Sequence, residues 1–267
     1  MRSVKDLMDL TGRKALITGG AGHIGGAVAD ALAECGATVS ILDMDQAKSA
    51  EMIDSLAKYG NLKGAAVACD LLDEQDTRQA IRSVISSVGG LDIIVHSAAF
   101  VGTTQMKGWS VPFEEQSVEA WDAALRVNLT AGFVIAQEAR NALAESGHGS
   151  VIFFGSTYGI VGADLRLYED TDMANPPGYA ASKGGVIQLA RHLSTVMAPN
   201  VRVNSVTPGG IRRGQPDSFH EQYIYRTPLK RMATEQDLKC AVLYLASDMS
   251  EYVTGHNLVV DGGWTAW

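Results

Sequence analysis

The chain has 267 residues, of which 46% are hydrophobic and 19% charged, so it is long enough to bury a substantial core in a single α/β domain. Its net charge of -8 leaves no basic stripe to neutralise nucleic-acid phosphates, which argues against nucleic acid as a partner. No apolar run approaches a membrane span and the first residues lack a signal-peptide core, so we expect a cytoplasmic protein without a membrane partner.

Six short apolar runs alternate with helix-length amphipathic segments. The runs are rich in Val and Ile, which suits strands covered on both faces, and they span residues 14–18, 38–43, 65–69, 92–96, 151–154 and 201–206. Apolar residues at three- and four-residue intervals predict helices over 24–35, 46–59, 74–88, 117–145 and 179–198. This alternation predicts one Rossmann-type domain over residues 1–267, with a doubly wound parallel sheet and helices on both faces.

A glycine-rich turn follows the first predicted strand. The stretch Thr18-Gly19-Gly20-Ala21-Gly22-His23-Ile24-Gly25 leads directly into the first predicted helix. Glycine allows a tight turn and a close approach of the backbone to a pyrophosphate, and the helix N-terminus offers unpaired N–H groups to phosphate. A plain strand–helix connection can have a similar composition, but the position at the first junction favours dinucleotide binding.

The second predicted strand ends at Asp43, about 20 residues after the glycine turn, where a carboxylate can accept hydrogen bonds from the adenosine ribose hydroxyls. The same carboxylate would repel the 2′-phosphate of NADP. No arginine or lysine lies in the glycine turn, and none follows Asp43 until Lys48. The sequence therefore predicts NAD as the cofactor, against the plainer interpretation of Asp43 as a solvated strand end. Asp45 is expected to cap the next helix.

The stretch Tyr179-Ala180-Ala181-Ser182-Lys183 places a tyrosine and a lysine on one face of a predicted helix. A free tyrosine has a pKa of about 10, too high for an effective base at neutral pH. A lysine ammonium one turn away would stabilise the phenolate and lower the pKa of Tyr179, making it a usable acid/base group. Such pairs are also common on helix surfaces, so this one gains its meaning from the rest of the pattern.

Across nearly the whole chain the sequence resembles the short-chain dehydrogenase/reductase family. The matching segments occur in the family's order: the glycine turn, Asp70, Val127-Asn128-Leu129, Phe154-Gly155-Ser156, Tyr179 with Lys183, residues 204–209 and the ending over 252–263. Because several motifs occur in the right order, the resemblance is specific. It implies an NAD-dependent oxidoreductase that acts on CH–OH groups.

The resemblance also implies a role for each matching residue. Ser156 would hydrogen-bond the substrate oxygen, Tyr179 would exchange the proton, and Lys183 would tune Tyr179 and hold the nicotinamide ribose. Asn128 would support a water that passes protons to Lys183, with a purely structural, helix-bending residue as the alternative. The residues that would contact the cofactor are Gly19, Gly22, His23, Ile24, Asp43, Asp70, Leu71, Ser97, Ala98, Tyr179, Lys183, Pro208, Gly209 and Ile211.

The sequence combines features of the family's two large branches. Its length and its ending resemble the compact branch. The glycine spacing, with His23 where the compact branch has glycine, is similar to the extended branch that handles nucleotide sugars. So are His96-Ser97-Ala98-Ala99 after the fourth strand and the segment 168–178 before Tyr179. His96 is either a site residue or a hydrogen-bonded structural residue.

The leading functional hypothesis is an NAD(H)-linked alcohol dehydrogenase or ketone reductase of a small polar substrate, with a sugar or sugar derivative preferred. The sequence also resembles family members for bacterial surface-sugar or flagellin modification. A second hypothesis is an epimerase or dehydratase that retains its NAD, although extended members usually add a C-terminal substrate domain for which few residues remain here. A third is a non-catalytic dinucleotide sensor, but a sensor needs no proton-transfer tyrosine.

A substrate loop is expected over residues 212–231, as the resemblance implies. Arg212, Arg213, Arg226 and Arg231 lie in or near it and could hold a phosphate or carboxylate, or form a solvated face. The three cysteines match no metal or redox spacing, so we predict no metal site and expect small buried residues in a reducing compartment.

The resemblance implies a homo-oligomer, a tetramer or a dimer, that forms through the long helices. The chain ends with Trp264 and Trp267, two large apolar rings that a frayed tail would seldom keep in water. We therefore expect both to be buried, either at a contact with a neighbouring subunit or against their own domain beside the substrate loop.

Overall fold

One parallel sheet forms the centre of the molecule. The computed structural model describes residues 1–60, 63–171 and 173–267, and in this part of the chain the sheet has seven strands. They are β1 (Lys14–Thr18), β2 (Thr38–Asp43), β3 (Ala66–Ala68), β4 (Ile93–His96), β5 (Gly149–Phe154), β6 (Val201–Pro208) and β7 (Asn257–Val260). Their order across the sheet is β3-β2-β1-β4-β5-β6-β7, and each neighbouring pair is parallel.

Helices cover both faces of this sheet. Over the same described residues the α-helices are α1 (Val4–Met8), α2 (His23–Glu34), α3 (Gln46–Ser55), α4 (Glu74–Val88), α5 (Val118–Leu125), α6 (Ala131–Glu145), α7 (Pro177–Val196), α8 (Asp217–Arg226) and α9 (Gln236–Ala246). The direction of strand addition reverses between β1 and β4. The loops that follow these two strands therefore diverge and leave a crevice at their carboxyl ends, where ligands of such sheets bind.

Alternate residues of each strand supply two apolar cores, one on each face of the sheet. Ala15 and Ile17 of β1 belong to the core that includes α2 and α9. Leu16, between them, belongs to the core that includes α4, α6 and α7. Because both faces are covered, the central strands are apolar along their whole length, and their carboxyl ends are held firmly beneath the crevice.

The structure confirms the predicted Rossmann-type α/β fold and the six predicted strands, whose ends agree with the prediction to within two residues. The sequence patterns missed α1, α8, α9 and β7. The edge strand β7 is mostly half-buried, so its pattern of apolar residues is weak. The helix predicted over 117–145 is interrupted by a π-helical turn, Arg126–Thr130, between α5 and α6. Among the cysteines, Cys69 is buried as expected, whereas Cys35 is half-buried and Cys240 is exposed.

Candidate active site

The glycine turn after β1 is shaped by contacts that leave no room for side chains. Gly19 has a φ of 67°, and a Cβ there would lie 2.7 Å from the backbone of Ala98. A Cβ on Gly25 would lie 2.2 Å from the carbonyl oxygen of Gly19. The turn therefore packs the start of α2 tightly against the end of β1, which is the geometry that lets a backbone approach a pyrophosphate.

The N-terminus of α2 opens from this turn. Its N-cap, Gly22, has no side chain to cap the first N–H groups, and the next residues, His23 and Ile24, are exposed and half-buried. At the end of β2, the Asp43 carboxylate accepts a hydrogen bond from the Ala21 N–H at 3.1 Å, which ties the two strand ends together. Uncapped N–H groups beside the Asp43 carboxylate fit the diphosphate and adenosine of a nicotinamide dinucleotide.

The predicted cofactor contacts after β3 and β4 lie around the same crevice. Leu71 is buried and Asp70 is exposed beside it. Ala98 packs against the glycine turn, and the Ser97 hydroxyl donates to the Thr18 carbonyl oxygen at 2.7 Å. These bonds hold the end of β4 against the end of β1. Their contact with a cofactor stays a prediction.

The segment after β6 forms the far side of the crevice. The Gly209 N–H donates to the Val260 carbonyl oxygen at 2.9 Å, and a Cβ on Gly209 would lie 2.9 Å from the Cα of Asp261. Ile211 then pairs with Ala233 in an isolated parallel bridge. The turn that begins at Pro208, the last residue of β6, is therefore fixed against β7, which holds the predicted nicotinamide-binding residues in place.

Ser156, Tyr179 and Lys183 converge at the carboxyl end of β5. Ser156 is buried, and its hydroxyl oxygen accepts the Tyr158 N–H at 3.2 Å. Lys183 is buried one helical turn after Tyr179, and its Nζ donates to the Phe154 carbonyl oxygen at 2.8 Å. A tyrosine, a serine and a lysine in one buried crevice can hold and transfer a proton at a substrate oxygen.

The prediction that the Lys183 ammonium lowers the pKa of Tyr179 is wrong. Burial raises the pKa of Tyr179, and the influence that opposes burial is a hydrogen bond with Ser156 rather than the charge of Lys183. The Lys183 Nζ lies 5.8 Å from the centre of the Tyr179 ring and is already bonded to backbone. Burial also lowers the pKa of Lys183 to about 8, because the charged form is desolvated.

Asn128 lies in the π-helical turn between α5 and α6 and is fully buried. Its amide oxygen accepts the Phe100 N–H at 2.6 Å, and its Nδ2 donates to the Phe100 carbonyl oxygen at 3.1 Å and to the Ser182 hydroxyl at 2.9 Å. The side chain therefore joins the loop after β4 to α7. This supports the structural alternative, and a relay water held by Asn128 stays a prediction.

His96, at the end of β4, is a hydrogen-bonded structural residue. Its Nδ1 lies 2.8 Å from the Thr18 hydroxyl oxygen, and its ring packs edge-on against Phe153. Its Nε2 is buried without a hydrogen-bond partner among the described residues. Burial, reinforced by the charge of Lys183, lowers the pKa of His96 to about 4, so the ring is neutral at physiological pH.

Most arginines of the substrate loop are already paired with carboxylates. Arg231 makes a two-pronged salt bridge with Asp237, and Arg213 bonds Glu235 at 3.3 Å. Arg226 of α8 pairs with Asp164. Only Arg212 of the four is exposed without an ion pair among the described residues. The idea that several of these arginines hold an anion is therefore not supported by their geometry.

An aromatic cluster that the sequence analysis missed covers the substrate side of the crevice. We define it by the buried residues Leu167, Phe219, Tyr223, Met232 and Trp264, with Tyr158 and Tyr168 packed against them. Its members come from the segment after β5, from α8 and from the C-terminus, so no local pattern in the sequence joins them. Trp264 is buried within its own chain, as one alternative expected, whereas Trp267 is 79% exposed there.

Comparison with known proteins places the whole chain beside oxidoreductases. The family model described as Enoyl-(Acyl carrier protein) reductase matches residues 19–265. A sorbose reductase from Schizosaccharomyces pombe is 30% identical in an alignment 270 residues long that covers 97% of this chain and 98% of the relative. A D-threitol dehydrogenase from Mycolicibacterium smegmatis is 30% identical in an alignment 264 residues long that covers 96% of this chain and 94% of the relative.

Solved structures with similar folds contain nicotinamide dinucleotides. A gluconate 5-dehydrogenase from Burkholderia cenocepacia, in complex with NADP and tartrate, has a TM-score of 0.87 and 28% identity, and covers 99% of this chain and 100% of its own. A short chain dehydrogenase from Leptospira borgpetersenii with bound NAD+ has a TM-score of 0.84 and 32% identity, and covers 99% and 96%. One neighbour thus holds NADP and the other NAD+. Within residues 1–60, 63–171 and 173–267, helices long and apolar enough for a membrane span are absent.

Proposed function

Because the chain belongs to the short-chain dehydrogenase/reductase family, we propose that it is an NAD(H)-dependent alcohol dehydrogenase or ketone reductase of a small sugar or polyol. As a family member it is an oxidoreductase that acts on CH–OH groups. The proposal rests on one observation above all, the convergence of Ser156, Tyr179 and Lys183 beside a glycine turn that fits a dinucleotide.

Oxidation of an alcohol removes a hydride from carbon and a proton from oxygen. Bound nicotinamide dinucleotide supplies the hydride acceptor for oxidation or the hydride donor for reduction. The Ser156 hydroxyl is near enough to Tyr179 to favour its phenolate and lower its pKa, so a substrate oxygen placed between them would contact both hydroxyls. Tyr179 would take the hydroxyl proton as the carbonyl forms, and in the reverse direction it would return that proton to the alkoxide.

Lys183, one helical turn after Tyr179 in α7, would assist the proton exchange of Tyr179. Its pKa of about 8 means that the ammonium predominates at neutral pH while its proton remains easily exchanged. The Phe154 carbonyl oxygen accepts one of its three N–H bonds, which leaves two for a ribose hydroxyl and for a relay water. Desolvation of both side chains strengthens any charge interaction that forms between them when the crevice is filled.

The choice of NAD over NADP is the part of the proposal that depends on Asp43. Its carboxylate lies at the end of β2, bonded to the glycine turn, where a ribose 2′-phosphate would meet like charge. The glycine turn has no basic side chain that could offset this repulsion. Because the neighbouring structures include one with NADP and one with NAD+, their ligands do not decide the choice for this chain.

The substrate class is proposed from the relatives together with the composition of the site. A sorbose reductase, a D-threitol dehydrogenase and a gluconate 5-dehydrogenase share the fold over nearly their full lengths. Each name denotes a substrate with several hydroxyl groups. The retained-NAD epimerase, suggested by the glycine spacing, has no such support among these relatives. A homo-oligomer and a cytoplasmic location stay predictions.

A substrate screen tests the proposal. The purified chain is mixed with NAD+ or NADP+ and a panel of tetritols, hexitols, aldonates and simple secondary alcohols, and reduced nicotinamide is followed by its absorbance. We expect NAD+-dependent oxidation of at least one polyol, with the matching ketose reduced in reverse. The proposal would be contradicted by turnover of none of these compounds with either cofactor, or by NAD that stays bound through purification and is not turned over.

A further inference from the structure

A hydrogen-bond donor of the aromatic cluster is buried without a partner. Among the described residues, three buried side-chain N or O atoms have no hydrogen-bond partner: Trp264 Nε1, Asn175 Nδ2 and His96 Nε2. Of these three, Trp264 belongs to the aromatic cluster, which also includes Tyr158, two residues after Ser156 in the chain. A buried N–H without an acceptor costs free energy, and such atoms in a native site call for a ligand or water.

Two tyrosines of the same cluster are joined through their hydroxyls. The hydroxyl oxygens of Tyr158 and Tyr168 are 2.7 Å apart and hydrogen-bonded to each other. Because one hydroxyl donates within the pair, the pair keeps one spare O–H and several lone pairs for a third group. Tyr158 also packs edge-on against Trp264, with 6.1 Å between ring centres. Ser156 lies two residues before Tyr158 in the chain, and its hydroxyl oxygen accepts a hydrogen bond from the Tyr158 N–H.

The tyrosine pair is close enough to the reaction centre to sense its charge. Ionisation of Tyr179 would make ionisation of both Tyr158 and Tyr168 harder, and it contributes to the raised pKa of each. The main cause of both raised pKa values is burial, so both hydroxyls stay protonated and can donate. Arg226 pairs with Asp164, which immediately precedes the turn Leu165–Tyr168. The positive charge of Arg226 favours the Tyr158 phenolate and so opposes the effect of burial on the pKa of Tyr158.

We propose that Tyr158, Tyr168 and Trp264 form a second polar subsite, which binds an oxygen atom on a carbon next to or beyond the reacting one. The preferred substrate then carries at least two oxygens, as a polyol or hydroxy acid does. Donor-only groups such as the tryptophan N–H require an acceptor oxygen, which the methylene groups of an acyl chain cannot supply. The subsite thus deepens the proposed function and rests on it for the identity of the reacting carbon.

The subsite also explains the segment between Ser156 and Tyr179. The chain between Ser156 and Tyr179 includes the short 3-10 helix Leu165–Tyr168, which brings Tyr168 back onto Tyr158. Met173, from the same segment, packs on the aromatic cluster. Tyr168 and Met173 therefore line the side of the crevice that would face the substrate. Neither the glycine turn nor the catalytic residues require this lining.

The test compares two four-carbon alcohols that differ only in their extra hydroxyls, a tetritol and 2-butanol, in steady-state oxidation by the holoenzyme. Tyr158→Phe, Tyr168→Phe and Trp264→Phe each remove one polar group from the subsite. We expect each variant to lose about tenfold in kcat/KM on the tetritol and to stay within about twofold of the wild type on 2-butanol. Cofactor affinity is expected to be unchanged.

Matched controls are available on the same surface. Tyr225→Phe and Trp267→Phe make the same chemical changes at side chains that are 79% exposed in each case, and neither should alter the preference for the tetritol. Equal losses on both alcohols, or no loss on either, would overturn the subsite. A wild type that prefers 2-butanol would overturn it as well.

A binding measurement separates failure of the subsite from failure of the proposed function. If the wild type oxidises neither these two alcohols nor any other compound of the substrate panel, the proposed function is wrong, and the subsite is then judged by the thermal shift that the tetritol causes in the presence of NAD+. A higher Tm for the wild type but not for Tyr168→Phe supports the subsite. The same shift in both proteins, or none in the wild type, rejects it.

Discussion

The two sides of the crevice are built by different means. On the cofactor side, the backbone of the glycine turn and the strand ends of β1, β2 and β4 set the geometry, and a Cβ added to Gly25 would lie only 2.2 Å from the Gly19 carbonyl oxygen, which leaves no room for a side chain. On the substrate side, side chains from three distant segments meet in the aromatic cluster. The cofactor side is therefore fixed by local sequence, whereas the substrate side depends on how loops fold onto one another and can vary with the substrate.

The two sides should differ most in how much the free energy of unfolding falls when a glycine on each side is replaced by alanine. Gly25→Ala places a Cβ 2.2 Å from the Gly19 carbonyl oxygen, which is backbone and cannot move aside cheaply. We expect a loss of about 3 kcal/mol in the free energy of unfolding and weak NAD binding. Denaturant titration and calorimetric binding measure both effects.

The matched variant is Gly214→Ala in the substrate loop, where nothing lies within 4 Å of the added Cβ. It should change the free energy of unfolding by no more than about 0.5 kcal/mol. Similar losses in the two variants would contradict the contrast between a closely packed cofactor side and an open loop.

His96, at the border between the two sides, gives a pH-dependent effect. Its pKa is lowered from 6.5 to about 4, so between these pH values the unfolded chain binds more protons than the folded chain. Stability therefore falls as the pH drops through this window, by up to about 3 kcal/mol from this group alone. His96→Asn should flatten the dependence of the free energy of unfolding between pH 6.5 and 4. An unchanged slope would show that His96 is not the group responsible.

The cofactor preference tests the electrostatics of the glycine-turn side. Asp43→Asn removes the carboxylate charge and retains an amide oxygen that can accept the Ala21 N–H. We expect the ratio of NADP to NAD affinity to rise about tenfold. The control is Asp45→Asn, because Asp45 caps α3 through the Lys48 N–H, as predicted, and should leave this ratio unchanged. Tighter binding of NADP than of NAD by the wild type would contradict the assignment of NAD as the preferred cofactor.

The smallest effect on folding is expected at the C-terminus. Trp267 is exposed on its own chain, so Trp267→Ala should change the unfolding free energy by less than about 0.5 kcal/mol. If Trp267 lies at the predicted subunit contact, the same variant should lower the molar mass measured by light scattering. An unchanged oligomer would remove Trp267 from that contact.

The parts that follow from short-range sequence signals were predictable. Strand periodicity, the glycine turn and the strand-end position of Asp43 all correspond to local geometry, and the structure assembles them as expected. The pattern of Tyr179 and Lys183 also predicted a shared site. What it could not give is the pKa of Tyr179, because burial and the bond with Ser156 come from tertiary packing.

The aromatic cluster shows the opposite case. Trp264 is far from Tyr158 and Tyr168 in sequence, and each of the three alone is typical of an ordinary core residue. The arginines of the substrate loop misled for the same reason, since their carboxylate partners Asp164, Glu235 and Asp237 could be identified only from the fold. The one available signal was the length of the segment between Ser156 and Tyr179, which contains Tyr158 and Tyr168.

The most direct test of the central claim is to measure turnover and NAD binding together in Tyr179→Phe. The substitution removes only the hydroxyl that is proposed to move the proton, so kcat should fall about 1,000-fold while the Kd for NAD stays within about twofold of the wild type. Turnover within about tenfold of the wild type, with NAD binding intact, would contradict the assignment of Tyr179 and the mechanism that depends on it.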